Sequence, residues 1–251
     1  MQTPPHSALA TVLQSLDNAA RASQRPPPRL VAVAKRQPVT AVAELVAAWR
    51  AERPGERPAI GENYVQEARD KAVALAGMVP PGTDMEWHLV GHLQTNKAAV
   101  AAALFDWVQS VDSARLARAL DAARDPAGPP LSVLLQVNVD AEPGKHGCAP
   151  DEVPALAAAV AALPRLSLRG LMAIPAPFDD PERRRDSFRR MRALFDALRA
   201  QHPGIDTLSM GMSGDAALAI AEGATMVRIG TALFGARPAG PAHGRPPGDP
   251  R

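Results

Sequence analysis

The sequence predicts a single α/β domain folded as a closed (β/α)8 TIM barrel. The chain has 251 residues, a length that suits one large domain with its own core. Eight short apolar runs alternate with stretches in which apolar residues recur at helical spacing. Strands that alternate with helices pair in parallel, because a parallel connection needs a crossover, and eight such units suit a closed barrel. An open, doubly wound sheet is the alternative architecture.

Eight short segments are the predicted strands, and together they run through most of the chain. They are Leu30–Ala34, Ala59–Gly61, Glu86–Val90, Trp107–Val111, Ser132–Val139, Leu168–Ile174, Thr207–Met210 and Met226–Ile229. In a parallel barrel the carboxyl ends of all strands meet at one face, where the active sites of this fold lie. We therefore expect the functional residues directly after these strands.

An extra helix is predicted before the first strand. Its apolar residues Leu9, Val12, Leu13 and Leu16 recur at helical spacing, and it ends at the proline-rich segment Gln24–Arg29. This helix precedes the eight repeated units and is therefore an addition to the barrel.

Two further helices have distinctive sequence signals. One follows Asn63, and the pair Asn63 and Gln66 resembles a capping box at its start. The other runs from about residue 181 to residue 200 and carries a run of arginines between Arg183 and Arg192. We expect this run to be a solvated helix face, with docking of an acidic partner as the alternative.

The composition argues against several classes of protein. The chain has 28 Lys and Arg against 26 Asp and Glu, and only 4% of its residues are aromatic. It therefore lacks the strong basic field and the aromatic side chains for base stacking that are typical of nucleic-acid binders. No apolar run approaches the ~20 residues of a membrane helix, and the first residues lack the apolar segment of a secretion signal. We expect a cytoplasmic protein that binds neither nucleic acid nor membrane.

The single cysteine and the C-terminal segment have no expected role in chemistry. Cys148 is the only cysteine, so it cannot form an internal disulfide, and no triad pattern near it indicates a nucleophile. The segment Pro238–Arg251 consists largely of proline, glycine and arginine. Such a composition predicts a disordered tail, which leaves residues 1–237 as the barrel domain.

Lys35 directly follows the first predicted strand. A lysine in this place is commonly a solvated strand end. In a barrel mouth, however, partial burial disfavours the ammonium form and makes the amine a better nucleophile toward an aldehyde. Lys35 is therefore a candidate for a Schiff-base lysine.

The last strand leads into a turn at Gly230 and Thr231 that begins a helix. Backbone N–H groups at such a helix start can bind a phosphate, although Gly230 could instead simply end the strand. Arg228 precedes the turn, and a guanidinium pointing into a barrel needs an acceptor such as a heteroaromatic nitrogen. Ser213, after the seventh strand, could reach the same phosphate or cap the next helix.

The histidines do not predict a metal site. His88 and His92 are four residues apart, but the local pattern is that of a strand, and no further ligand motif accompanies them. We expect no metal at this pair.

Eight sequence blocks occur together in a specific order along nearly the whole chain. They are Leu30–Lys35, Ile60–Glu67, Trp87–Lys97, Ser110–Ser113, Val137–Asn138 with Lys145, Gly170–Met172, Leu208–Ser213 and Val227–Thr231. In this combination the chain resembles the pyridoxal phosphate homeostasis proteins, small single-domain relatives of alanine racemase. The resemblance implies a fold-type III barrel that carries pyridoxal 5′-phosphate (PLP).

The resemblance also implies which residues bind the cofactor. The position matching Lys35 forms the internal aldimine, and Arg228 lies at the pyridine nitrogen. The remaining implied residues lie around the phosphate (Ser213, Gly230 and Thr231) or line the pocket (Asn63, His88 and Met210).

Three positions depart from the usual pattern of the family. Ala34 stands where a serine commonly precedes the lysine, Arg36 replaces a small polar residue, and His146 replaces a serine. None of them belongs to the implied lysine, arginine and phosphate contacts.

The resemblance favours a non-enzymatic carrier over an enzyme. Such a carrier holds PLP, limits its free aldehyde and supplies PLP-dependent apoenzymes. The alternative is a weak amino-acid racemase, which needs a second proton-transfer group on the opposite face of the substrate. Larger racemases take that group, a tyrosine, from an additional domain and a partner subunit, and from the length of this chain we expect no such domain. We expect a monomer.

Overall fold

The computed structural model describes residues 5–235. Within them, eight parallel strands form a closed barrel in chain order. The strands are β1 (Arg29–Val33), β2 (Ala59–Glu62), β3 (Glu86–Leu89), β4 (Trp107–Val111), β5 (Leu131–Gln136), β6 (Leu166–Met172), β7 (Thr207–Ser209) and β8 (Met226–Ile229). The predicted barrel is confirmed, and the open sheet is excluded because β1 pairs with β8.

A helix follows each strand, and one more precedes the first. The helices are α1 (Pro5–Ala22), α2 (Val39–Glu52), α3 (Val65–Leu75), α4 (Ala98–Leu104), α5 (Ala114–Ala123), α6 (Val153–Ala161), α7 (Pro181–Gln201), α8 (Ala216–Ala221) and α9 (Thr231–Phe234). The extra helix α1 buries Leu9, Leu16 and Ala20 and packs against α2, α8 and α9. It thus covers the seam where the last unit of the barrel meets the first.

The fifth and sixth strands differ most from their predicted boundaries. β5 ends at Gln136 rather than Val139, and β6 begins at Leu166, earlier than predicted. The pairing of these two strands shifts register partway along, and Gly170 lies at the irregularity. Its φ is +148°, and a Cβ atom there would lie 1.9 Å from the carbonyl oxygen of Thr207. Only glycine fits this position without displacing the next strand.

The predicted capping box at Asn63 is wrong. Helix α3 begins one residue later than that box requires, with Tyr64 at the N-cap and no side-chain hydrogen bond to the cap. Gln66 is therefore the second residue of the helix rather than the third, and its amide donates to Asp70 instead. The side chain of Asn63 therefore does not cap α3 and is available at the mouth of the barrel.

The arginine run on α7 is largely neutralised within the domain. Arg185 forms an ion pair with Glu222, and Arg190 forms one with Asp140. Charges that are already paired offer little net attraction to an acidic protein. The structure therefore favours the solvated helix face, as expected, over a docking surface.

Ser113 sets the start of α5, and its hydroxyl accepts a hydrogen bond of 3.3 Å from the N–H of Leu116. We expect Ser113→Ala to lower the free energy of unfolding by about 1 kcal/mol, because that N–H loses its acceptor. Urea denaturation measures the change. Ser113→Asp, which keeps an acceptor at this position, should unfold close to the wild-type midpoint, and an equal loss in both variants would contradict the capping role.

No helix between residues 5 and 235 is both long and apolar enough to cross a bilayer. The predicted tail, Pro238–Arg251, lies outside the described residues.

Candidate functional site

A cavity of about 300 Å³ opens among the loops that follow the carboxyl ends of the strands. It brings together six of the eight predicted site residues, from the ends of β1, β2, β7 and β8: Lys35, Asn63, Ser213, Arg228, Gly230 and Thr231. The other residues that line it are neutral: Val33, Gln37, Val90, Ile174, Met212 and Gly214. The described residues therefore give the cavity wall only two titratable side chains, Lys35 and Arg228.

Lys35 is half-buried just beyond the end of β1. Its Nζ lies 5.2 Å from the ring centre of Tyr64, and it forms no hydrogen bond or ion pair with the other described residues. Arg36 follows in the left-handed region, with φ of +59°, and its N–H donates to Glu67. This tight turn ends the strand and leaves the amine of Lys35 facing the cavity.

A buried lysine that the sequence analysis did not single out fixes the backbone beside Lys35. The Nζ of Lys71 lies 2.6 Å from the carbonyl oxygen of Ala34, 2.6 Å from Glu62 Oε1 and 2.8 Å from Glu67 Oε1. These three acceptors come from the end of β1, from β2 and from α3. Lys71 thus connects the elements on either side of Lys35. Ala34, which departs from the usual family pattern, takes part only through its backbone carbonyl.

Burial raises the pKa of Glu62 to about 7, against the opposing effect of Lys71. The carboxylate is fully buried, and its second oxygen, Oε2, has no hydrogen-bond partner among the described residues. Ionised Glu62 therefore depends strongly on its single lysine partner.

Arg228 extends from β8 into the base of the cavity. One Nη donates to Ser209 Oγ at 2.7 Å and the other to the carbonyl oxygen of Ala173 at 2.8 Å. A guanidinium has five N–H groups, so these bonds leave donors for a bound acceptor. Burial lowers the pKa of Arg228 to about 10, which still keeps it protonated at neutral pH.

A buried chain of hydrogen bonds crosses the barrel behind Arg228. Ser209 Oγ donates to Gln109 Oε1 at 2.7 Å, and Gln109 Nε2 lies 3.0 Å from His88 Nδ1. His88 Nε2 in turn lies 3.2 Å from Glu86 Oε2. If His88 is neutral and protonated on Nε2, its Nδ1 accepts from Gln109 Nε2 and its Nε2–H donates to Glu86 Oε2. This chain of hydrogen bonds therefore orients Ser209, which accepts a hydrogen bond from Arg228.

His88 does not line the cavity, contrary to expectation. It is fully buried and stacks on Trp107 with ring centres 5.4 Å apart. Burial lowers its pKa, which agrees with the neutral tautomer. For Glu86, burial opposes ionisation, but hydrogen bonding to His88 and the charge of Arg29 bring the pKa down to about 2. The sequence could not show that His88 lies in an interior layer of the barrel instead of at its mouth.

Met210 does not line the cavity either. Its side chain is buried in the core, and its N–H donates to the carbonyl oxygen of Met226. Met212 lines the cavity instead.

The end of the cavity near α9 is suited to an anion. Gly230 and Thr231 begin this helix, and the first N–H groups of a helix have no partner within it. Ser213 is exposed nearby and does not cap α8, whose N-cap residue is Asp215. Ser213 and Thr231 add two hydroxyl groups to the backbone donors at Gly230 and Thr231.

Cys148 is buried, and burial with the nearby carboxylate of Glu152 raises the pKa of its thiol to about 12. The thiol is therefore protonated at neutral pH, which agrees with the expected unreactive side chain.

The chain matches the family described as alanine racemase, N-terminal domain, over residues 8–238. It is 46% identical over 231 residues to the pyridoxal phosphate homeostasis protein of Escherichia coli strain K12, covering 91% of this chain and 95% of that protein. The Pseudomonas aeruginosa protein of the same name is 48% identical over 231 residues, covering 91% and 94% of the two chains.

Solved structures show the same relationship. PipY of Synechococcus elongatus with PLP bound is similar at a TM-score of 0.76 and 38% identity, covering 92% of this chain and all of that one. Alanine racemase of Clostridium difficile has a TM-score of 0.68 at 15% identity, with 90% of this chain and 60% of the racemase covered. The second similarity shows the fold alone.

Proposed function

Because the chain belongs to the pyridoxal phosphate homeostasis proteins, which have the fold-type III barrel of the alanine racemase N-terminal domain, we propose that it binds and carries PLP. One observation supports this above all: Lys35, Arg228 and the turn at Gly230 surround a single cavity of about 300 Å³. The three groups match the aldehyde, the ring nitrogen and the phosphate of the cofactor.

The residues present fit PLP in chemistry as well as in position. When bound, PLP supplies an aldehyde that reacts with an amine, and among residues 5–235 Lys35 is the only amine in the cavity wall. Arg228 has N–H donors for the pyridine nitrogen, while Ser213, Gly230 and Thr231 offer donors for the phosphate. Asn63 also lines the cavity. We do not assign His88 or Met210 to the cofactor.

The proposed role is carriage rather than catalysis. Arg228 stays protonated at neutral pH and so donates a hydrogen bond without giving up its proton, which leaves the pyridine ring a weak electron sink. A racemase also needs a second acid or base facing the substrate. The cavity wall of the described chain contains none besides Lys35 and Arg228. The only tyrosine, Tyr64, is not among the residues that line the cavity, and its ring centre lies 5.2 Å from Lys35 Nζ.

Chiral analysis tests carriage against racemisation. PLP-loaded protein is incubated with L-alanine and other L-amino acids, and the enantiomers are separated with time. We expect no interconversion beyond that caused by free PLP at the same concentration. Rapid formation of D-amino acids would overturn the carrier role while leaving PLP binding intact.

Ser209 provides a graded test of how Arg228 is held. We expect Ser209→Ala to weaken PLP binding about tenfold, because Gln109 and Arg228 each lose a buried partner, a change on the order of 1–3 kcal/mol. Fluorescence or absorbance titration with PLP measures the affinity. The matched control is Ser110→Ala, which removes a buried hydroxyl that has no hydrogen-bond partner among the described residues. Unchanged affinity in Ser209→Ala, or an equal loss in the control, would contradict the role of the buried chain.

We further propose that the carrier is a cytoplasmic monomer that delivers PLP to PLP-dependent apoenzymes. Delivery by contact is tested in two arrangements. The PLP-loaded protein and an apoenzyme are either separated by a dialysis membrane or mixed in one chamber. Faster reactivation in the shared chamber supports delivery, whereas equal rates indicate release into solution only. Sedimentation measures the oligomeric state.

A further inference from the structure

Three potential metal ligands meet at the barrel mouth, outside the cavity around Lys35. His92 follows β3, Asp112 follows β4 directly, and His146 lies in the loop after β5. One donor atom from each lies within 4.8 Å of the other two. Three consecutive strands of a parallel barrel thus deliver two imidazoles and one carboxylate to one place.

Asp112 is the unusual member of this cluster. Its side chain is only 20% exposed, and its one ion-pair contact with the other described residues is to His92 Nδ1 at 3.7 Å. Among residues 5–235 the carboxylate accepts no hydrogen bond and has no lysine or arginine within ion-pair distance. Burying a carboxylate without a charged partner is costly, so a cation bound beside Asp112 would stabilise it.

The two histidine side chains of the cluster lie face to face. The two rings stack in parallel with their centres 3.5 Å apart. A metal lies in the plane of each ligating ring, so one ring must tilt out of this stack on binding. Both side chains are exposed enough to turn.

We propose that His92, Asp112 and His146 form a binding site for a divalent transition-metal ion of the Zn²⁺ class. Two imidazoles and a carboxylate are a borderline ligand set suited to Zn²⁺ and leave a fourth position open to water or a ligand. A neighbouring cavity of about 540 Å³ is lined in part by His92 and shares Asn63 with the Lys35 cavity. The open position can therefore be reached from solvent. This site revises the expectation of no metal, which rested on His88 and His92 as a pair.

Zinc titration of the purified protein tests the proposal. Isothermal titration with Zn²⁺ alone should show one tight equivalent in the wild type. His146→Ser and Asp112→Asn should each weaken it at least tenfold, while His202→Ser, which removes an imidazole outside the cluster, should change it less than twofold. Equal binding by the wild type and both cluster variants, or no tight equivalent in the wild type, would overturn the proposal.

Crystallography locates the ion independently of affinity. A crystal soaked in zinc chloride should show an anomalous peak at about 2.0–2.2 Å from the three donors. A peak at another histidine or at the Lys35 cavity would contradict the assignment. The visible spectrum of PLP-loaded His146→Ser should match that of the wild type. Failure of the metal site would therefore leave the proposed carriage of PLP intact, and failure of PLP binding would leave the metal site intact.

Discussion

Replacing Lys35 with alanine should abolish the visible absorbance that the wild-type protein gains when PLP is added. Lys35 carries the only amine that the described part of the chain places in the wall of the cavity, and the change leaves Arg228 and the turn at Gly230 in place. Without the covalent attachment, the variant keeps only noncovalent contacts to the ring and the phosphate. We therefore expect a loss of affinity of at least about a hundredfold, measured by equilibrium dialysis with PLP.

Two kinds of control make this result specific. Lys35→Arg keeps a positive charge near Tyr64 but has no primary amine, so it should also lose the absorbance. Lys97→Ala removes an exposed lysine and should behave as the wild type. Retention of the band in both Lys35 variants would show that PLP attaches elsewhere.

The second large effect is expected at Lys71. Replacing it with methionine removes the partner of buried Glu62 and three hydrogen bonds, including the bond to the carbonyl oxygen of Ala34. Breaking a buried ion pair from one side costs about 3–5 kcal/mol. We expect Lys71→Met to lose stability of this size at pH 8 in urea denaturation, and to bind PLP more weakly because the backbone beside Lys35 is released.

The pH dependence identifies the cause of that loss. The pKa of Glu62 is about 7 in the folded protein against an ordinary value of 4.5. The contribution of Glu62 to the free energy of unfolding is therefore fully present below about pH 4.5 and is lost as the pH rises through 7. Without Lys71 the pKa of Glu62 in the folded protein rises further. The difference in free energy of unfolding between Lys71→Met and the wild type should therefore widen above pH 7.

A double variant is the matched control for the buried charge. Lys71→Met combined with Glu62→Leu removes both charges, and we expect it to recover much of the stability lost in the single variant. If the single and double variants are equally unstable and the gap does not change with pH, unpaired Glu62 is not the cause.

The strands and the mouth of the barrel could be predicted because both depend on short-range patterns. Alternation of apolar runs with helical spacing fixed all eight strands to within a few residues, and residues directly after strands must lie at one face. Lys35 and Gly230 follow strands, Arg228 lies near the end of β8, and all three line the cavity, as this pattern predicts.

The remaining errors concern depth and partners, which local patterns do not encode. His88 and Met210 lie near strand ends in sequence, but whether a side chain belongs to an inner layer or to the cavity depends on barrel register and neighbouring side chains. Lys71 was missed because a lysine on a helix is ordinarily solvated. Only the packing of α3 against β1 and β2 shows that it is buried, with Glu62 as its partner.

Borohydride reduction followed by peptide mass mapping tests the central claim most directly. The chain contains only four lysines: Lys35, Lys71, Lys97 and Lys145. After loading with one equivalent of PLP and reduction, we predict a single phosphopyridoxyl group on Lys35. Modification of another lysine with Lys35 unmodified, or no modification of any lysine, would contradict the account.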